Sequence, residues 1–264
     1  MTIYADLYRY RELFGNLFRR DLQAKYKGSA LGVLWTLANP LLLMGIYLLV
    51  FSVLWRAVRI PHYALFLLSG LVGWVLFATS LQTASRSLLD NAGLIRKTRF
   101  PRQLVPLSVV ATNFASFAVM LGALLAVNFV LLPRVRATEW LALPLALALV
   151  CLVSGLALTV ACLNVLFRDV EHLVTAFLLP WFFLTPILYT YETVGAAARH
   201  HDLVQVLRYV NFMTPAIDAI RDPLFWGKVP RATDVVYLVV AAALSLALGA
   251  FVFSRVDDRL AVEL

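Results

Sequence analysis

No catalytic spacing stands out in these 264 residues. There is no G-x-x-x-x-G-K-S/T phosphate loop, so the chain does not bind ATP in that way. There is no C-x-x-C, H-E-x-x-H or clustered His/Cys to hold a metal. His200 and His201 are adjacent, and neighbours on a helix point in different directions. The residues whose types and spacing do promise a task form one short stretch, Asn91-Ala92-Gly93-Leu94-Ile95-Arg96-Lys97-Thr98-Arg99-Phe100-Pro101-Arg102. It is dense in positive charge, yet it keeps three large apolar side chains that a loop merely avoiding a bilayer would not need. Pro101 cannot continue a helix and biases Phe100 toward an extended backbone. The stretch reads as a short helix closed by a fixed turn. It is a docking element with Leu94, Ile95 and Phe100 as apolar knobs and Arg96, Lys97, Arg99 and Arg102 as a basic rim. The alternative is an ordinary loop made basic by the positive-inside rule.

The elements that must hold this stretch are apolar. The chain is 62% hydrophobic and 14% charged, against about 45–50% and about 25% in soluble domains. Its charges are segregated, leaving runs near the roughly 20 residues that cross a bilayer. An all-α integral membrane protein with six transmembrane helices is expected, with spans near 31–55, 63–88, 104–132, 140–167, 173–191 and 235–253. Residues 1–30 form a separate unit, and 31–264 one transmembrane domain. Within the first, Ile3, Leu7, Tyr10, Phe14, Leu17, Phe18 and Leu22 recur at helical spacing among Arg and Lys, which predicts an amphipathic helix lying in the interface. Pro40 predicts an early bend in the first span. Residues 192–232 mix charges with apolar clusters, and short helices packed at the outer interface fit them. The net charge of +8 belongs to the ends of the spans rather than to nucleic acid. Cys151 and Cys162 sit in one predicted span about 16 Å apart, too far for a disulfide. The polar start before any apolar run is the wrong order for a cleavable signal peptide.

Six spans put both termini on one side. The first helix, residues 91–102, the turn at 168–172 and the C-terminal tail then share the side with most of the Lys and Arg, which the positive-inside rule assigns to the cytoplasm. The spans hold almost no ionisable groups, which argues against a proton- or sodium-coupled carrier. Energy, if used, comes from outside the chain. Aromatic residues are the remaining signal: Tyr47, Phe51 and Trp55 on one face of the first span, Trp74 and Phe77 in the second, and Phe177, Trp181, Phe182, Phe183 and Tyr189 in the fifth. They fit a lining on which sugar rings stack, and equally an interfacial belt and core packing.

Several segments in order resemble one family. They are Lys25-Tyr26-Lys27-Gly28-Ser29-Ala30-Leu31-Gly32 with Trp35 and Pro40; Ser69-Gly70-Leu71 with Trp74 and Phe77; Asn91 through Pro106; Phe167-Arg168-Asp169-Val170; Thr185-Pro186-Ile187-Leu188-Tyr189; and Asn211-Phe212-Met213-Thr214-Pro215. The chain resembles the membrane permease subunit of a bacterial ABC transporter, in the branch exporting O-antigen, teichoic acid and related polysaccharides. The last motif departs from the family, which commonly has Pro after this Asn where Phe212 stands here. The resemblance implies a homodimer in the bacterial cytoplasmic membrane, with the pathway between subunits and two copies of a P-loop ATPase beneath. ATP and Mg would be held by that partner, and this chain would hold no cofactor and no metal. It also implies that Leu94, Ile95, Arg96, Lys97, Phe100 and Pro101 couple to the ATPase, with Arg168 and Asp169 as a second contact. Residues 192–222 would be outer gating helices. The substrate would be a glycan on a polyprenyl pyrophosphate lipid, with Trp35, Tyr47, Phe51, Trp74, Phe77, Trp181, Phe182 and Tyr189 along its path. Two other readings stay open: an ABC exporter of a drug or lipid, and an intramembrane enzyme acting on lipid-linked sugars. The second needs an acid/base pair or metal ligands at one interface, and the sequence offers neither.

Overall fold

The computed structural model describes residues 9–29, 32–54, 60–98, 100–191 and 201–263. Among them there is no β-strand. The helices in order are α1 (Arg11–Tyr26), α2 (Trp35–Leu48), α3 (Tyr63–Asp90), α4 (Ala92–Lys97), α5 (Leu104–Leu131), α6 (Ala142–Leu166), α7 (Val170–Leu184), α8 (His201–Val210), α9 (Met213–Arg221) and α10 (Ala232–Glu263). Ile3, Leu7, Trp55, Arg99 and residues 192–200, all named in the expectations above, lie outside the described residues.

Among the described residues, five stretches are long and apolar enough to cross a membrane: Trp35–Ser52, Tyr63–Asp90, Leu104–Leu131, Glu139–Leu166 and Ala232–Asp257. The expected fifth span is shorter than its sequence promised. Helix α7 has 15 residues and stops at Leu184, about 22 Å of helix against a hydrocarbon core of about 30 Å. The cause is Pro186, which biases Thr185 away from the helical region; Thr185 is extended, with ψ at 130°. Pro180 and Pro40 lie inside helices that run through them.

Helix α3 is the centre of the bundle. Small residues along it, among them Ser69, Gly70, Gly73, Ser80, Ala84 and Ser85, are buried and let α5, α6, α7 and α9 approach closely. Helix α2 is the opposite case, with only Thr36 and Pro40 buried. The tightest crossing joins α6 to α10. A Cβ on Gly155 would lie 2.2 Å from the Ser245 carbonyl carbon, and one on Gly249 would lie 2.5 Å from the Gly155 oxygen. Ser245 donates to the Leu152 carbonyl at 2.8 Å. Ser245 and Gly249 are thus a small-xxx-small pair seated on Gly155.

Side-chain amides join the elements elsewhere. Asn128 donates to the Leu224 carbonyl at 2.7 Å, Asn113 to the Thr83 hydroxyl at 3.0 Å and Asn164 to the Ser85 carbonyl at 2.9 Å. Polar contacts hold helix α1 against α5. Ser108 donates to Asp21 at 3.1 Å, Lys25 to Asn113 at 3.2 Å, and Tyr26 pairs with Ser116 at 3.0 Å. These contacts advance together along both helices, so α1 climbs beside α5 for about 12 Å. A helix crossing α5 flat would touch it at one level. The polar groups of α5 draw α1 upward by giving Asp21, Lys25 and Tyr26 partners.

One prediction follows from the crossing. Gly155→Ala forces α6 and α10 apart and should cost about 1–3 kcal/mol of overpacking strain. Gly122→Ala, where an added Cβ meets nothing within 4 Å, should cost nothing. Thermal unfolding of the purified variants in detergent checks the pair.

Candidate functional site

The docking element forms as α4, a six-residue helix between α3 and α5. Asn91 turns the chain: its amide donates to the Ser87 carbonyl at 2.8 Å, and its own carbonyl accepts the first amides of α4. The apolar residues do not face outward. Ile95 is 7% exposed, in a cluster with Leu17, Leu88, Leu104, Leu158 and Phe253, and Leu94 and Phe100 are partly buried against the same cluster. Ile95 is therefore an anchor into the chain's own core, and Leu94 and Phe100 lie half against it. A six-residue helix is too short to hold itself, so it spends its apolar side chains on attachment. The face left outward is Gly93, Arg96, Lys97 and Thr98, all exposed. Arg102 is occupied by the Asp257 carboxylate at 2.9 Å.

The second turn stands beside the first. Phe167 is 64% exposed, and Arg168 and Asp169 are exposed with it. Asn164 ties this turn to α3. While its amide holds Ser85, its carbonyl oxygen accepts the Glu171 amide at 2.9 Å. Arg86 and Glu171 add an ion pair at 3.1 Å. Phe167 was quoted only within a motif; its exposure marks it as a candidate anchor in its own right. Arg96, Lys97 and Arg168 have no carboxylate partner among the described residues.

At the far end of the bundle the aromatic residues gather. Tyr47 stacks on Phe182 at 5.6 Å and meets Phe51 at 6.4 Å. Trp74 packs on Phe77 and Phe182 at 5.3 and 5.5 Å, and Phe77 on Trp181 at 5.2 Å. Trp74, Phe77 and Phe182 are buried. These three rings pack on each other and on Trp181 edge to face or tilted, as in the packing alternative raised above. Trp35 stands apart and is 50% exposed. Tyr189 pairs with Tyr191 at 6.1 Å. The departure at Phe212 is also explained: its ring packs edge-on against Trp181 at 4.9 Å and Phe77 at 5.9 Å. Asn211 accepts from the Trp181 indole at 2.7 Å and donates to Thr185 at 2.9 Å. The turn between α8 and α9 is thereby locked to the end of α7.

Sequence reasoning missed the charges in this segment. Arg221 is 2% exposed. It donates to the Pro186 carbonyl at 2.7 Å and the Ile187 carbonyl at 3.2 Å, and its guanidinium lies 4.1 Å over the Phe66 ring. A Cβ on Gly70 would fall 2.2 Å from it. Arg208 reaches Asp234 at 2.7 Å and Asp218 at 3.0 Å, joining α8, α9 and α10. Asp218, Arg221 and Asp222 stand among Ile217, Ala219 and Ile220; that spacing on one short helix was the available signal. Burial, reinforced by the charge of Asp218, pushes the Asp222 carboxyl up to about 6.

Two predictions follow. Arg221→Met should destabilise the fold by about 3–5 kcal/mol, and Arg221→Lys should recover part of this because an ammonium lacks the planar fork. Protease resistance of α8 and α9 reads both. Asp222, with its folded pKa raised, favours the folded state below the ordinary carboxylate range near 4 and loses that contribution as pH rises through about 6. Asp222→Asn should therefore flatten the melting temperature between about pH 4 and 6 and raise it at neutral pH.

The comparisons with known proteins agree with this architecture. Residues 12–225 match the family model described as ABC-2 type transporter. The chain is 34% identical over 271 residues to the O-antigen export system permease protein RfbA of Myxococcus xanthus, covering 99% of this chain and 98% of that one. It is 37% identical over 176 residues to a protein of the same description from Klebsiella pneumoniae, covering 66% and 68% of the two chains. With its bundle of apolar helices, two charged turns at one end and a full-length relative of that kind, the chain belongs to the ABC-2 type transporter family and is a multi-pass membrane permease.

Proposed function

We propose that this chain is the membrane-spanning subunit of an ATP-driven exporter that carries a lipid-linked cell-surface polysaccharide of the O-antigen type across the inner membrane. The observation that carries this reading is the end-to-end match to an O-antigen export permease. In this reading α7 completes a sixth crossing together with the turn that follows it. Both termini face the cytoplasm, two copies form the pathway, and α8 and α9 gate its outer mouth. The glycan is held on a polyprenyl pyrophosphate lipid. Trp35 and Tyr47 on the little-covered α2, and Phe51 just beyond its end, keep surface with which to meet a sugar, while Trp74, Phe77, Trp181, Phe182 and Tyr189 support them from behind.

ATP and Mg belong to a separate P-loop subunit, two copies of which dock on α4 and the Phe167-Arg168-Asp169 turn. The exposed cations of α4 support an electrostatic approach to an acidic groove, and Phe167 offers the apolar anchor. Interface energy concentrates in buried aromatic anchors, and rim charges act on association and salt dependence.

The test is co-purification with the ATPase and export of glycan in cells. Arg96→Ala with Lys97→Ala should weaken co-purification in a salt-dependent way at normal membrane insertion. Phe167→Ala should uncouple export from ATP hydrolysis. Ile95→Ala should act through stability, costing about 2–5 kcal/mol as a buried large-to-small change. Full export by the double charge variant combined with Phe167→Ala would overturn the docking assignment.

A further inference from the structure

Helix α8 is held to the protein by polar groups rather than by a core. None of its described side chains is buried, and Val206 is 58% and Val210 74% exposed. Arg208 turns the other way, with only 16% of its side chain exposed. A polar side turned inward and an apolar side turned outward is the reverse of a helix that packs by its apolar stripe. The ties of α8 to α9 and α10 include the pairs of Arg208 with Asp218 and Asp234, and the Tyr237 hydroxyl donating to the Tyr209 carbonyl.

One nitrogen of Arg208 serves both carboxylates. Its Nη2 lies 3.0 Å from Asp218 and 2.7 Å from Asp234. Its Nε and the Oδ1 of Asp234 are buried with no hydrogen-bond partner among the described residues. This is not the two-pronged fork that gives an arginine–carboxylate pair its strength. Arg221, by contrast, uses Nη1, Nη2 and Nε on the Pro186 and Ile187 carbonyls and the Ser69 hydroxyl. A desolvated ion pair of limited geometry adds little net stability, because each charge recovers its hydration on release. The two acids are also prepared for release. Arg221 stands 3.9 Å from the other carboxylate oxygen of Asp218, so Asp218 keeps a counter-charge when Arg208 leaves. Asp234 lies in the first turn of α10, where the helix dipole favours a carboxylate. The turn after α8 is fixed, with Asn211 bonded to Trp181 and Thr185 and Phe212 packed on Trp181. We infer that Arg208 is a releasable clamp: its pairs with Asp218 and Asp234 hold α8 closed, and α8 swings about the Asn211–Phe212 turn when they part. Resting on the function proposed above, that swing opens the outer mouth to the glycan, and Arg208 acts as a positioning residue that does not touch the cargo.

The experiment uses the permease with its ATPase in nanodiscs. It reads amide hydrogen exchange in α8 and α9 with and without ATP, beside glycan export in cells. In the unaltered pair α8 should exchange faster during ATP turnover while α9 keeps its protection. Arg208→Met should raise the exchange of α8 without nucleotide about tenfold or more and leave α9 unchanged. Arg208→Lys, which keeps one cationic nitrogen, should stay within about threefold of the unaltered chain. Asp234→Asn keeps the shape, weakens the clamp and gives the same reading if Arg208→Met does not assemble. Lys228→Met, exposed in the loop before α10, should change nothing. Exchange that rises equally in α8 and α9 shows that Arg208 only holds the fold together, and overturns the clamp. Unchanged exchange of α8 in Arg208→Met and Asp234→Asn overturns it too, as does exchange that ATP does not move. Export by the unaltered pair separates the two readings: export beside any of these failures removes only the clamp, and no export removes the function it rests on.

Discussion

A guanidinium with almost no access to water governs the far end of this protein. Taking Arg221 out of solvent is costly, and the cost is recovered only where every donor finds a partner. The partners are fixed by the chain's own interruptions. Pro186 ends α7 and frees the carbonyls of residues 186 and 187, which a continuing helix would have used. Phe66 supplies a ring for the guanidinium face, worth more out of water than in it. Gly70 supplies the space. Each is of little consequence alone. Together they decide where α9 sits, and α9 in turn decides how α8 and α10 are joined through Arg208.

The opposite end follows a different logic. There the charges stay in water and the apolar residues do the holding. Ile95, Leu94 and Phe100 attach α4 to a small core shared with α1, α3, α6 and α10. Arg96 and Lys97 have no carboxylate partner among the described residues, while Arg86 and Arg102 are consumed in bridging α3 to α7 and the loop before α5 to α10. Asn164 ties the second turn to α3, because an amide can donate and accept in the same moment.

The membrane class, the long helices and the basic stretch at 91–102 were legible because hydrophobic period and charge segregation are local properties of a sequence. Other features were not. The pattern of α4 shows that Ile95 and Phe100 lie close together, and not whether they point outward or inward; that depends on Leu17 and Phe253, which are distant in the chain. Counting apolar residues carried the fifth span through Pro186, whereas the backbone ends it at Leu184. The aromatic residues of α3 and α7 looked like a lining because rings that pack on each other and rings that meet a sugar share one composition. Arg221 was read as an interface charge because nothing local discloses the carbonyls waiting for it.

Helix α3 has a mechanical meaning that neither end shows by itself. It runs unbroken for 28 residues, from beneath the Arg221 guanidinium at Gly70 to the Asn91 turn that begins α4. A continuous α-helix is stiff along its axis, because shortening it requires breaking the hydrogen bonds of every turn. It behaves as a push-rod between a grip at one end and a seat at the other. An axial displacement delivered at α4 reaches Gly70 undiminished, some 30 Å away. There it meets a clearance set by one missing Cβ. The two ends of the bundle are thus joined by one continuous helix, and at its Gly70 there is no room for even a Cβ.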